Sequence, residues 1–120
     1  MLNRDGISTS TYGAPKQILA NVDLQSSVGC IVAQAVGTNV GAKKIAKAGT
    51  PIEIDMGNLQ TPAVEGKANA VLLHDVDVTD GNANGTALVF GFVNVNRLES
   101  DVQAKVTPGT AVGMVQFIKF

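Results

Sequence analysis

Ala70-Val71-Leu72-Leu73-His74-Asp75-Val76-Asp77-Val78-Thr79, followed by Asp80-Gly81-Asn82-Ala83-Asn84-Gly85 and then Thr86-Ala87-Leu88-Val89-Phe90-Gly91-Phe92-Val93, decides the fold class. The first ten residues are rich in β-branched side chains, and their second half alternates apolar with polar, the period of a strand. The next six are turn formers that suit the loop of a hairpin. The last eight are a return strand, and Gly91 inside it marks a bulge or a close backbone approach. The pair predicts a central β-hairpin.

Working outward, Val28-Gly29-Cys30-Ile31-Val32-Ala33 is another short run of β-formers, punctuated by Gly37 to Gly41. Ala48-Gly49-Thr50-Pro51 is a turn signal. Pro51-Ile52-Glu53-Ile54-Asp55-Met56 alternates, which predicts a strand with Ile52, Ile54 and Met56 inward. One short helix is expected at Asn96-Arg97-Leu98-Glu99, where Asn96 can cap backbone N–H groups and Glu99 can reach back. Leu98 and Val102 lie four residues apart on one face, and Thr107-Pro108-Gly109 ends the helix. A final strand is expected over 111–120, with Val115, Phe117 and Phe120 not all on one face. The expectation is an all-β fold with one short helix. Residues 1–17 form an extended N-terminal arm and residues 18–120 a single β-rich domain. The arm is assigned because Ile7-Ser8-Thr9-Ser10-Thr11-Tyr12-Gly13-Ala14-Pro15 is small, polar and without helical period. Such a stretch buries too little apolar surface to offset its ordering entropy unless it lies against something else.

Composition narrows the function. The 120 residues are one domain's worth. Aromatic residues make up 4% and Trp is absent, so Val, Ala, Ile and Leu must build the core. Charged residues are 16% against a usual quarter, which fits either a chain that covers part of its surface with partners or a β-rich monomer with a Thr/Asn/Gly surface. A net charge of −1 leaves no electrostatic footprint for nucleic acid. One Cys excludes an internal disulfide and a cysteine-based zinc site, and one His excludes a multi-His site. No apolar run is long enough to span a membrane, and Met1-Leu2-Asn3-Arg4-Asp5-Gly6 lacks the apolar stretch of a secretion signal.

Motifs that could carry chemistry fail on spacing. Asp75-Val76-Asp77-Val78-Thr79-Asp80-Gly81 has the acidic look of a calcium loop, but its sixth residue is Asp80 and its twelfth is Thr86, where glycine and glutamate are needed. His74 and Asp75 are neighbours on a strand and point to opposite faces, so one does not orient the other. No serine sits in a Gly-x-Ser-x-Gly elbow, and Cys30 reads as a small buried apolar residue. Glu53 and Asp55 share a strand face without an aromatic sugar platform beside them. Lys43-Lys44-x-x-Lys47 is the one basic cluster, with no aromatics interleaved to stack bases. The turn at 48–57 is similar to that of lipoyl and biotinyl carrier domains but has no Lys at its tip. No catalytic residue, metal or cofactor is expected.

The chain resembles small head proteins of tailed phages and prophages of Gram-positive bacteria. The resemblance runs over most of its length. It is carried by Leu2-Asn3-Arg4-Asp5-Gly6-Ile7, Tyr12-Gly13-Ala14-Pro15-Lys16-Gln17, Lys47-Ala48-Gly49-Thr50-Pro51-Ile52 and, most specifically, the 70–79 and 81–94 stretches. More distantly, the order of features is similar to lambda-type head decoration proteins: an arm, a Gly-Thr-Pro-Ile strand, a core hairpin, a helix and the C-terminal Gly109-Thr110-Ala111. The resemblance implies a small β-barrel or β-tulip-like decoration fold, homotrimeric, bound to the major capsid protein on the outer surface of the virion after synthesis in the host cytoplasm. It implies no enzyme activity, nucleic-acid binding or membrane contact. The arm then makes the capsid contact, with Asn3, Arg4, Ile7, Tyr12 and Pro15 as candidate residues, while Phe90, Phe92 and Phe120 are candidates for subunit contacts. Two other readings are another virion component (shell-forming, neck or tail) and a small surface-binding module.

Overall fold

A computed structural model describes residues 17–21 and 25–119. The all-β expectation holds: among the described residues nine strands and one short helix form a nearly closed, barrel-like arrangement of two sheets. The strands are β1 (Ser26–Val32), β2 (Thr38–Val40), β3 (Lys43–Ala46), β4 (Pro51–Ile52), β5 (Ala70–Leu72), β6 (Val76–Asp77), β7 (Ala83–Asn94), β8 (Ala111–Val112) and β9 (Met114–Ile118); the helix α1 is Ser100–Gln103. The larger sheet runs β4-β5-β7-β9-β8, with β1 also on β7, and the smaller runs β2-β3-β6.

The expected hairpin is present but split. Val71 pairs with Leu88 and Leu72 with Ala87, and the Leu73 N–H donates to the Thr86 carbonyl as the last rung. The chain then leaves the larger sheet, and Val76 and Asp77 pair with β3 instead. The 70–79 stretch is therefore two strands in two sheets. At the crossing, the Asp75 carboxylate accepts a hydrogen bond from the Ala48 N–H at 2.7 Å. Ala70-Val71-Leu72-Leu73 is buried without alternation because β5 is covered on both faces. Ala70 and Leu72 face one core cluster, with Cys30, Val32, Ile52, Val76 and Ala87, between the two sheets. Val71 and Leu73 face the other, with Leu88, Val93, Leu98, Val102, Val115 and Phe117.

β7 changes character at a bulge. Ser27 pairs with Leu88 but Ser26 pairs with Phe90, which leaves Val89 as the extra residue. An inserted residue in a period-two element reverses which parity points where. Even-numbered Leu88 and odd-numbered Val93 accordingly enter the same cluster. Gly91, in which the sequence predicts a bulge or close approach, lies just beyond it with φ +151°.

Past the bulge, β7 pairs in parallel with β9, Phe90 opposite Met114 through Asn94 opposite Ile118. Parallel neighbours need a crossover. Here it is a 3-10 turn (Val95–Arg97), α1 and β8. The helix comes one turn later than the sequence predicts. Asn94, not Asn96, is the capping side chain: its Oδ1 accepts from the Asn96 N–H at 3.0 Å over the 3-10 turn, and Glu99 holds the N-cap position of α1 without a side-chain cap. Leu98 and Val102 are buried together as expected.

Two further expectations are corrected. Ile52 and Ile54 are buried, but Met56 is 60% exposed. The Asn69 amide brackets Ile54, accepting from its N–H and donating to its carbonyl, both at 2.9 Å. Asp55 Oδ1 then accepts from Gly57 and Asn58 N–H groups, which turns the chain before the alternation reaches Met56. The C-terminal stretch is not one strand but a tight β8–β9 hairpin, with Gly113 at φ +60°, where a Cβ would run into the Asn69 carbonyl.

Candidate docking surface

The groups with chemical potential are dispersed, and their polar atoms serve the fold. Cys30 is buried in β1, and burial pushes its thiol pKa up, away from the thiolate. His74 sits in the link between β5 and β6, its Nδ1 buried without a hydrogen-bond partner among the described residues. Asp75 is spent on Ala48. Asp77, read by sequence as part of a failed calcium loop, accepts from the Thr79 hydroxyl at 2.6 Å and the Thr79 N–H at 2.9 Å. Those bonds, with Lys43 3.9 Å away, hold the Asp77 carboxyl below the usual aspartate range. Thr79 Oγ1 in turn accepts from the Lys44 N–H at 2.8 Å, so this cluster fastens β6 to β3. The basic cluster is broken up as well: Lys47 bonds the Asp101 carboxylate at 3.1 Å, which lowers the Asp101 pKa. Among the described residues no group of three or more His, Cys, Asp or Glu could hold a metal. No helix among them is long and apolar enough to cross a membrane.

A cleft of about 550 Å³ lies beside Glu53, Asp55, Met56, Val64 and Asn69. Its polar lining is committed locally. Asn69 brackets Ile54, Asp55 caps the following turn, and Glu53 Oε1 accepts from the Lys67 N–H at 3.3 Å. The cleft is a by-product of that turn.

Two surface features remain. The first is the origin of the N-terminal segment. Ile18 to Ala20 run alongside the far half of β7 through an isolated β-bridge: Leu19 bridges to Val93, the Ala20 N–H donates to the Phe92 carbonyl at 2.9 Å, and the Asn94 N–H donates to the Ile18 carbonyl at 2.8 Å. Arg97 reaches over this segment and donates to the carbonyls of Gln17 and Leu19, each at 3.4 Å. Ile18 and Leu19 are core residues. The expected boundary near residue 17 therefore falls where the chain joins the sheet. The candidate arm residues Asn3, Arg4, Ile7, Tyr12 and Pro15 lie outside the described residues, as does Phe120.

The second feature is a sheet face. Residues paired across neighbouring strands project to the same side. Phe90, Phe92 and Asn94 share a side with Met114, Gln116 and Ile118, while Val93, Val115 and Phe117 point the other way into the core. On the open side Met114 is 69% exposed, and Phe90, Phe92 and Ile118 are half-buried. The structure thus brings the predicted contact residues Phe90 and Phe92 together on a surface. It adds Met114 and Ile118, which sequence reasoning did not single out. The signal available for them was charge: residues 25–42, 81–96 and 106–118 contain no Asp, Glu, Lys, Arg or His. β1, β7, β8 and β9 are consequently neutral throughout. The chain matches no protein-family model, and neither a curated protein nor a solved structure matches it.

Proposed function

We propose that this chain is a non-enzymatic structural protein of a phage virion that decorates the outer surface of the head and cements it, binding the major capsid protein and acting as a homotrimer. The observation that supports the reading is the anchoring of residues 18–20 against β7 by a β-bridge, under Arg97. It fixes the point from which the preceding sixteen residues start, at the rim of a packed domain. An extended segment with a fixed origin can add main-chain hydrogen bonds to an exposed sheet edge on a partner. Joining several such segments in one assembly multiplies a weak contact into firm attachment, because each later contact forms at high effective concentration. A β-rich body with a net charge of −1, and with Asp75 and Asp77 bonded within the fold, suits a clamp better than a catalyst.

Co-sedimentation with expanded capsids tests the reading. The full chain is expected to coat the capsids, and a variant lacking residues 1–16 is expected to lose at least ~100-fold in apparent affinity. Unchanged coating by the truncated chain overturns the assignment of the capsid contact. Failure of the full chain to bind capsids overturns the decoration role.

A further inference from the structure

The outer edge of β1 is unpaired, and the chain carries a segment placed to fill it. We infer that residues 2–7 fold back and add a short strand to that edge at Ser27, Gly29 and Ile31, so that the free chain holds its own N-terminal segment docked. The inference goes beyond the decoration reading: it concerns the chain alone and does not require a capsid.

Three observations carry it. First, the edge offers backbone groups. Within a strand the N–H and C=O of one residue point the same way, and successive residues alternate. The Ala63 N–H donates to the Ile31 carbonyl at 2.7 Å, on the side away from β7. Ser27, Gly29 and Ile31 therefore turn their backbone groups outward. Those of Ser27 and Gly29, and the Ile31 N–H, have no partner among the described residues. Ser27 and Gly29 are exposed. Second, the edge lacks two devices that keep other strands away: Ser26–Val32 contains no charged residue and no proline. A cleft of about 300 Å³ lies beside it, lined by Gly29, Cys30, Ile31, Leu59 and Gln60, and a Cβ on Gly29 would meet nothing within 4 Å. An added strand has room there for its alternate side chains.

Third, the tether selects the occupant. So few backbone groups hold a free peptide weakly, but a segment joined to the domain acts at a local concentration of about millimolar. The segment also starts on the right edge, since residues 18–20 and β1 run along the same side of β7. The edge at its origin is closed: the Leu19 N–H donates to Gln17 Oε1 at 2.9 Å, and Arg97 donates to the Gln17 and Leu19 carbonyls. β1 is the next open stretch. Gln17 adjoins the Asn94 end of β7 and Gly29 lies opposite Thr86, a separation of roughly 30 Å at about 3.3 Å per residue. Residues 1–16 reach up to about 50 Å when extended. They span the gap, with Gly13-Ala14-Pro15 available for the reversal.

Trypsin reads the contact at Arg4. Cleavage there is expected to be several-fold slower in the full chain than in its Gly29→Pro variant. Proline removes the outward N–H of Gly29 and leaves the bonds to β7, which belong to Val28 and Cys30, in place. Amide exchange gives a second reading without a change in β1. The Gly29 and Ile31 amides are expected to exchange ~10-fold faster once residues 1–12 are removed, while amides of β2 stay constant. Exchange decides alone if Gly29→Pro fails to fold. Exchange at Gly29 and Ile31 that is the same with and without residues 1–12 overturns the inference. So does equal cleavage at Arg4 in the full chain and a folded Gly29→Pro variant. A chain that shows the protection yet fails to coat capsids overturns only the capsid reading. One that coats capsids although both amides exchange freely in the unbound chain overturns only this contact.

Discussion

The two halves of β7 are both covered on one face and open on the other, yet their open faces are chemically opposite. Before the bulge, Ala83 to Leu88 has the second sheet packed against one side. The other side carries Thr86 and Asn84 opposite Gly29 and Ile31 of β1, with Ser27 at the end: small or polar groups apart from Ile31. After the bulge, Phe90 to Asn94 has α1 and its flanks on one side, and Phe90, Phe92, Met114 and Ile118 open on the other. The first open face has the small and polar side chains of ordinary solvent surface. The second carries half-buried Phe90, Phe92 and Ile118 beside exposed Met114. Exposure alone therefore says little about function; its chemistry, compared along one strand, says more.

The most drastic way to break this comparison is to shift β7 by one residue beyond the bulge. Deleting Gly91 turns Phe92 toward the core and Val93 outward, because a one-residue slip sends every later side chain of the strand to the opposite face. The expected outcome is loss of any cooperative unfolding transition by heat or urea; a variant with the original midpoint contradicts the two-face description. Next in size is Gly113→Ala at the β8–β9 turn. A Cβ there would sit 2.5 Å from the Asn69 carbonyl oxygen, at a φ of +60°. Strain of this kind costs about 1–3 kcal/mol, and urea unfolding is expected to show it.

A smaller effect concerns what covers the first half. Asp77 and Thr79 hold the second sheet together, and the Asp77 pKa is depressed first by the Thr79 hydroxyl, then by the Thr79 N–H, and least by Lys43. A carboxyl whose folded pKa lies below its unfolded value contributes its full stabilisation above the unfolded pKa and loses it as pH falls through the folded one. Asp77→Asn is therefore expected to be less stable than the parent at neutral pH, and the difference should shrink below about pH 4. Thermal melts across that range check it; a constant difference removes the linkage. Smallest is Ser27→Asp, on the open polar face, expected to change stability by no more than about 0.5 kcal/mol in urea unfolding.

Much of this fold is legible in the sequence because it depends on local pattern. The apolar density of 70–73 and 86–93, the turn formers between them and the Leu98–Val102 spacing each name their element. The division of 70–79 between two sheets does not show, because it is decided by an acceptor 27 residues away from its donor: Asp75 holding Ala48. The alternation through Ile52 and Ile54 continues on paper to Met56, but Asn69 brackets Ile54 and the Asp55 turn ends it. That turn has its own signature in Asp55-Met56-Gly57-Asn58, which the stronger period-two pattern masks. For the docking surface, the pair Phe90 and Phe92 is visible as two like residues at strand spacing. Which side they face depends on one extra residue at Val89, and Met114 joins them only through the parallel pairing. Tertiary registers of that kind leave no local trace, whereas the uncharged stretches that border the surface do.

The position of β7 also governs how this protein reaches its folded state. Its neighbours are residues 18–20 and β1 from one end of the domain and β9 from the other, brought together across some seventy to twenty residues of intervening chain. Pairings that distant are slow to find, and domains dominated by them fold in roughly milliseconds to seconds rather than microseconds. During that search the chain holds a bare phenylalanine-bearing strand with unfilled edges, the kind of intermediate that aggregates when chains are crowded. A neutral surface gives little electrostatic protection at that stage. Yield on refolding is thus expected to fall with protein concentration well before the folded form shows any tendency to precipitate.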